Sequence, residues 1–276
     1  MKTDIFHLQI VPLSDILTHE EYDQSRALPL VEQLKKDGFL ANPVIVASFD
    51  DKKFLQLDGM NRYSAFKMLG FSSILVQIID YNDQEAVELA SWLHLFHGDY
   101  HQILQEMENM HVEVQKGSFD YVGSRYVKEE GKARICTVLN KKGEVYFLYS
   151  GGTIIEKIQT LRKMVDWYKD GIVRDVLPQH PNAHDFVILF EEHPETNTMV
   201  VFPTFTRHQI VDVVRKGELF PAGITRHLIQ RRCLNVNVPL SLFSKNASIK
   251  EQNESLEKLL SQRPFRLYEE PTIYFE

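Results

Sequence analysis

The first ninety residues carry short apolar runs separated by helical spacings. The runs are Ile10-Val11-Pro12, Val44-Ile45-Val46, Phe54-Leu55-Gln56-Leu57 and Leu75 to Ile79, and they read as buried strands. Between them, Leu30, Val31 and Leu34 share one face of a helix predicted from Leu28 to Lys36, with Gly38 as its stop. Tyr63, Phe66 and Leu69 share one face of a second, from Arg62 to Leu69, stopped at Gly70. Strand and helix alternate closely enough to predict a compact α/β unit.

The rhythm then changes. Glu85 to His97 predicts a helix, and residues 109–131 are mixed and polar. Val145 to Tyr149 predicts a strand and Gly151-Gly152 a turn. Thr153 to Tyr168 predicts an amphipathic helix resting on Ile155, Ile158, Leu161 and Val165. Phe186 to Phe190 and Met199 to Phe202 read as strands. Thr206 with Gln209 forms a capping box for a helix to Lys216, ended by Gly217. Leu228-Ile229 reads as a strand, and Leu234, Val236 and Val238 alternate with Asn235 and Asn237 as a half-buried strand does. From Ser244 to Ser261 the chain is polar, anchored by Leu256, Leu259 and Leu260. The fold class expected is α/β (α+β): one domain over 1–90, a second α/β domain over 91–243, and a polar, helical tail over 244–276.

Charge and cysteine content narrow the function. The net charge of the 276 residues is −7, whereas duplex binders usually carry a basic surplus. DNA is therefore a disfavoured partner. Cys136 and Cys233 form neither a CxxC pair nor a zinc spacing. No apolar run approaches the ~20 residues of a membrane helix, and Met1-Lys2-Thr3-Asp4 does not open a signal peptide. The expectation is a cytoplasmic protein with no membrane partner.

Four segments carry candidate chemistry. Asp58-Gly59-Met60-Asn61-Arg62 joins a strand to a helix. Glycine permits close backbone approach, a helix N-terminus offers N–H groups to an anion, and Arg62 adds a bidentate phosphate donor. Asp58 suits a Mg²⁺ that bridges phosphates. Spacing alone leaves an ordinary capped turn equally open. His19-Glu20-Glu21 offers Glu20 as a carboxylate base, against the plainer reading of a solvated acidic loop. Pro221-Ala222-Gly223-Ile224-Thr225-Arg226-His227 sets a hydroxyl, a guanidinium and an imidazole in succession, and Arg226 suits a substrate carboxylate; a surface loop leading into a strand is the alternative. Trp92-Leu93-His94, followed by His97 and His101, offers a pocket wall from Trp92 and His94. A metal site on the three histidines lacks a carboxylate or cysteine partner. His180, His184 and His193 read as solvated.

The strand at Val11-Pro12, the helix ending Asp37-Gly38, the strand at Val44 and the Asp58-Gly59-Met60-Asn61-Arg62-Tyr63 segment together resemble the ParB/sulfiredoxin-like nucleotide-binding domain. Within that superfamily the chain looks most like the free L-serine kinases, which include siderophore-biosynthesis and archaeal ADP-dependent enzymes. His19-Glu20 resembles their His-Glu pair, whose Glu is the catalytic carboxylate. Trp92-Leu93-His94 is similar to their Trp-x-His segment. Lys216-Gly217-Glu218, Pro221-Ala222-Gly223 and Thr225-Arg226 resemble their substrate loop, and Arg232-Cys233-Leu234-Asn235 and Val238-Pro239-Leu240 continue the likeness over about residues 5–243. The resemblance implies ATP or ADP with Mg²⁺, nucleotide contacts at Asp58, Gly59, Met60, Asn61 and Arg62, and catalysis by Glu20 and Asp58. It also implies L-serine near Trp92, His94, Thr225, Arg226 and His227, and O-phospho-L-serine as product.

One departure stands in the motif: Asn61 replaces the usual His, so that position cannot carry charge. Met60 occupies the place of the sulfiredoxin nucleophile, and a thioether cannot become a thiolate. Gly59-Met60-Asn61-Arg62 also differs from the Gly-Glu-Arg-Arg of ParB clamps. A nucleotide-responsive, ParB-like DNA-binding regulator remains the alternative function.

Overall fold

The structure is a computed structural model that describes residues 6–22, 24–50, 52–119, 122, 130–178 and 181–267, side chains 24 and 25 excepted. The opening Met1 to Asp4, His180, part of 109–131 and the end of the tail lie outside the described residues. In chain order, the first elements are β1 (His7–Pro12), β2 (Ile16–Leu17), α1 (Gln24–Asp37), β3 (Phe39–Leu40), β4 (Val44–Ser48), β5 (Phe54–Asp58), α2 (Met60–Met68) and β6 (Ser73–Ile79). Next come β7 (Val87–Ser91), β8 (Leu93–Phe96), α3 (Tyr100–Asn109), β9 (Glu113–Lys116), β10 (Ala133–Asn140), β11 (Val145–Ser150), α4 (Ile154–Asp166), β12 (Val173–Asp175), α5 (Ala183–Glu192), β13 (Thr198–Val201) and α6 (Arg207–Arg215). The last are β14 (Thr225–Ile229), β15 (Val238–Pro239) and α7 (Ile249–Ser261). The fold is mixed α/β, as the alternating pattern predicted.

Contacts gather the chain into two units, 1–88 with 227–276, and 89–226. In the first, a mixed sheet runs in the order β1-β6-β4-β5-β2. Ile10, Val44, Val46, Ile74, Leu75 and Val76 are fully buried on it, which explains apolar runs without alternation. Ala27, Val31 and Leu34 form the buried stripe of α1.

Residues 227–276 group with this first unit rather than with 91–243 or as a separate tail. β1 is an edge strand, and Asn253 of α7 caps its open backbone. Asn253 Nδ2 donates to Ile10 O and Ile10 N–H donates to Asn253 Oδ1, both at 2.8 Å. Ser73 Oγ donates to Gln252 Oε1 at 2.7 Å, and Leu256 enters the same core as Ile10 and Phe66. An unpaired strand edge is a template for aggregation, and α7 covers this one.

The second unit holds an antiparallel sheet in the order β12-β8-β13-β10-β11-β9. The helix expected over Glu85 to His97 is instead β7 and β8. Leu93 to Phe96 are all buried because β8 is an inner strand, so the period-2 signal is lost. The strand expected over Phe186 to Phe190 is helix α5, opened by a capping box of Asn182 and Asp185. The strand expected through Leu234 and Val236 is irregular. Asn235 and Asn237 take φ of 53° and 48°, which breaks extension, and Leu234 is exposed.

Candidate active site

β5 ends at Asp58, and the chain turns through Gly59 at φ 90° into α2. That conformation favours glycine. A Cβ on Gly59 would also lie 2.7 Å from the Arg62 guanidinium. Arg62 folds back over the turn. Its Nη2 donates to Asp58 Oδ2 at 3.0 Å and to Pro43 O at 3.2 Å, while its Nε is buried with no partner among the described residues. Arg232 pairs with the same Asp58 oxygen. Two guanidinium groups therefore converge on one half-exposed carboxylate at a helix N-terminus, with a buried donor available to an incoming oxygen. This is a cationic cradle suited to phosphate.

The arrangement bears on Asp58 as a metal ligand. Its Oδ2 already pairs with both Arg62 and Arg232, and their surplus positive charge disfavours a further cation there. Among the described residues no group of three His, Cys, Asp or Glu side chains could hold a metal. This also removes the metal reading of His94, His97 and His101, which fall on β8, the loop after it and α3. Asp58 fits an anchor for Arg62 and Arg232 better than a ligand for Mg²⁺.

In the same unit lies a cluster of buried imidazoles. His19 is 3% exposed, and its Nδ1 donates to Gln56 O at 2.7 Å. Its Nε2 stands 3.7 Å from Glu20 Oε1. The His227 ring meets the His19 ring edge-on, with centroids 5.1 Å apart and planes at 89°. Tyr81 Oη lies 2.9 Å from His227 Nε2. Tyr81 was not singled out in the sequence, and Arg232 stood only in the Arg232-Cys233-Leu234-Asn235 likeness, with no role assigned to it. Tyr81 lies in the turn after β6 without any motif, and Arg232 is distant from Asp58 in sequence, so no local spacing marks the partner of either.

In the second unit, Arg226 stacks over the Trp92 ring at 4.7 Å, a cation–π pair. Thr225 beside it is buried. His94 is fully buried. Its Nε2 donates to Gly223 O at 2.8 Å, and its Nδ1 accepts from Tyr168 Oη at 3.3 Å. Burial first, and then the Arg174 charge, pull its pKa down to about 3, against the Gly223 bond. His94 is therefore neutral and supports the 221–225 loop from behind, which differs from the pocket wall expected of it. Gly223, at φ 74°, has the Arg174 side chain where a Cβ would stand. His193, expected in solvent, is partly buried and lies 2.9 Å from Asp175 through Nε2, and His184 is in α5.

No family model matches the chain. It is 25% identical to the ATP-dependent L-serine kinase SbnI of Staphylococcus aureus over 89% of this chain and 87% of that one. It is 26% identical to an ATP-dependent L-serine kinase of Staphylothermus marinus, over 84% and 89%. It is 20% identical to the ADP-dependent L-serine kinase SerK of Thermococcus kodakarensis, over 79% and 86%. Among solved structures, C-terminally truncated SbnI of Staphylococcus aureus superposes with a TM-score of 0.70 at 22% identity, covering 92% of this chain and 96% of that one. A free serine kinase in complex with AMP does so with 0.66 at 18% identity, covering 86% and 93%. The likeness to the L-serine kinases that the motifs implied thus extends over most of the chain, and the fold is theirs.

Proposed function

We propose that this protein is a kinase that transfers the terminal phosphoryl group of ATP or ADP to the hydroxyl of free L-serine, giving O-phospho-L-serine. The observation that carries the reading is the placement of the Asp58–Arg62–Arg232 cradle and the His19–Glu20 pair in one unit of a chain similar throughout to L-serine kinases. Arg62 and Arg232 would bear on the nucleotide phosphates, with the N–H groups of Met60 and Asn61 at the start of α2. Mg²⁺, where present, would enter on the phosphate oxygens, as it commonly does. It would offset their charge.

Glu20 would accept the serine hydroxyl proton. Arg226, with its guanidinium over the Trp92 ring, suits the serine carboxylate, with the Thr225 hydroxyl beside it. His227 carries the loop on to the His19 cluster. His94 acts through the loop backbone and needs no contact with substrate. The reaction is read as cytoplasmic, and the siderophore route implied by the resemblance would be one use of phosphoserine. The DNA-binding alternative has no observation in its favour.

The test is direct. Protein, Mg²⁺ and serine are incubated with ATP in one arm and ADP in the other, and phosphoserine is measured by mass spectrometry. Relatives carry both donor names, so turnover in either arm supports the reading. Absence of phosphoserine in both arms, with folded protein, would reject it.

A further inference from the structure

Gln77 interrupts the apolar run of β6 and is only 3% exposed. A buried amide is costly unless its polar atoms find partners. Gln77 finds two, and both lie on the chain that returns after β14. Its Nε2 donates to Arg231 O at 2.9 Å, and its Oε1 accepts from Cys233 N–H at 2.8 Å. Together the bonds fix the amide, since a flip would set oxygen against oxygen and donor against donor. They also bracket a single residue, Arg232.

The returning stretch has no ladder of its own at this point. Residues 230–237 lie between β14 and β15, outside any strand or helix. Arg231 takes φ 53°, a left-handed backbone that residues other than glycine seldom keep unless neighbouring bonds hold them. Besides Gln77, single bonds tie the stretch down: Gln230 N–H donates to Ala86 O at 3.0 Å, and Asn235 N–H donates to Asn42 Oδ1 at 2.8 Å. Gln77 thus stands in for a missing strand partner on both sides of Arg232. The sheet register sets where this happens. Gln77 pairs with Ile45, and Ile45 with Asp58, in one row across β6, β4 and β5. Two strand spacings, about 10 Å, separate the backbone of Gln77 from that of Asp58. Arg232, held beside Gln77, reaches along this row to Asp58 Oδ2.

We propose that Gln77 is a positioning residue for nucleotide binding, which fixes the backbone around Arg232 so that its guanidinium meets the phosphates in the Asp58 cradle. The inference rests on the reading of that cradle as the phosphate site. Gln77 acts only through Arg232 and needs no contact with nucleotide or serine. Its contribution is order: a guanidinium already in place loses less freedom when phosphate binds.

Gln77→Met tests this, because it fills similar space and removes both hydrogen bonds. Titration calorimetry of the full chain with ATP and with ADP should show affinity reduced about tenfold, while the KM for serine stays within about threefold. Arg232→Ala should weaken nucleotide binding by about tenfold or more, the usual loss for a charge-assisted bond. Adding Gln77→Met to Arg232→Ala should lower the affinity by less than twofold further. A merely structural role would instead disturb serine and nucleotide alike and would add to Arg232→Ala. If the Met variant is unfolded by circular dichroism, Gln77→Asn replaces it. Its amide stays polar but is one methylene too short to reach both groups, and the same loss and the same lack of additivity are expected. Nucleotide affinity within twofold of the parent in a folded Gln77 variant, or independent losses in the double variant, would overturn the inference. Parental affinity in Arg232→Ala alone would reject the cradle reading itself, and the inference with it.

Discussion

Replacing Arg226 by alanine removes a guanidinium that lies over the ring of Trp92. The ring of Trp92 lies 4.7 Å from its central carbon, and the strand β14 fixes its backbone. Stacking orients the planar fork that a carboxylate reads bidentately. Loss of a charge-assisted hydrogen bond costs about 1.5–3 kcal/mol, or roughly 10- to 150-fold in binding. Loss of the stack itself adds about 0.5–1 kcal/mol to the freedom of the loop. The expected outcome for Arg226→Ala is therefore a KM for serine raised by about 10- to 150-fold, with nucleotide affinity changed far less. Arg226→Lys should recover only part, because an ammonium offers a point charge and not a plane. Steady-state kinetics with varied serine at saturating nucleotide reads this directly. Serine amide, which lacks the carboxylate, should be a poor substrate of the natural protein and no worse with Arg226→Ala. A KM for serine within about twofold of the parent, or efficient turnover of serine amide, would refute the assignment of Arg226 to the carboxylate.

Three further outcomes follow from the same geometry. Gly59→Ala meets a left-handed backbone, costing about 1–2 kcal/mol, and pushes Arg62 out of the turn; nucleotide affinity by calorimetry should fall about tenfold while the KM for serine moves little, and unchanged affinity would make the turn merely structural. His94 titrates near 3 when folded against 6.5 when unfolded, so the unfolded chain binds the extra proton and stability is lost as pH falls below 6.5, by about 1.4 kcal/mol per unit. Urea unfolding at pH 7 and pH 5 should show this loss in the parent and not in His94→Gln, and equal slopes in both would contradict it. Burial raises the Cys136 thiol well above its ordinary value, so a thiol reagent should reach Cys136 only in denaturant; rapid modification of Cys136 in the native protein would show that its burial is wrong.

The readable parts of the sequence were those where one local rule decided the outcome. Thr206 and Gln209 made their capping box, and the amphipathic helix expected from Thr153 is α4. The unread parts had competing signals. Leu93 to Phe96 lies inside a sheet, so its unbroken apolar run resembles a helix segment as much as a strand. Phe186 to Phe190 shows the converse error, although Asn182 and Asp185 carried a helix-start signal that could have settled it. Asn235 and Asn237 mimic the polar half of a strand, yet asparagine also tolerates the left-handed backbone both adopt. Of the candidate site residues, the structure brings Glu20 beside His19, Arg62 onto Asp58 and Arg226 over Trp92. Tyr81, Arg232 and Arg174 act on partners far away in sequence, and only the folded chain brings them there.

The return of the chain after residue 226 ties these observations together. Arg226 belongs to the second unit and stacks on Trp92, while His227, the next residue, belongs to the first and meets His19. Five residues further on, Arg232 reaches Asp58. One short stretch thus carries the guanidinium over Trp92, the ring against His19 and the guanidinium on Asp58, in that order. The same stretch leads to α7, whose Asn253 closes the edge of β1. Segment 227–276 therefore contributes to the first unit both part of its cationic cradle and part of its stability. A change that loosens α7, such as Asn253→Ala, should bear on both.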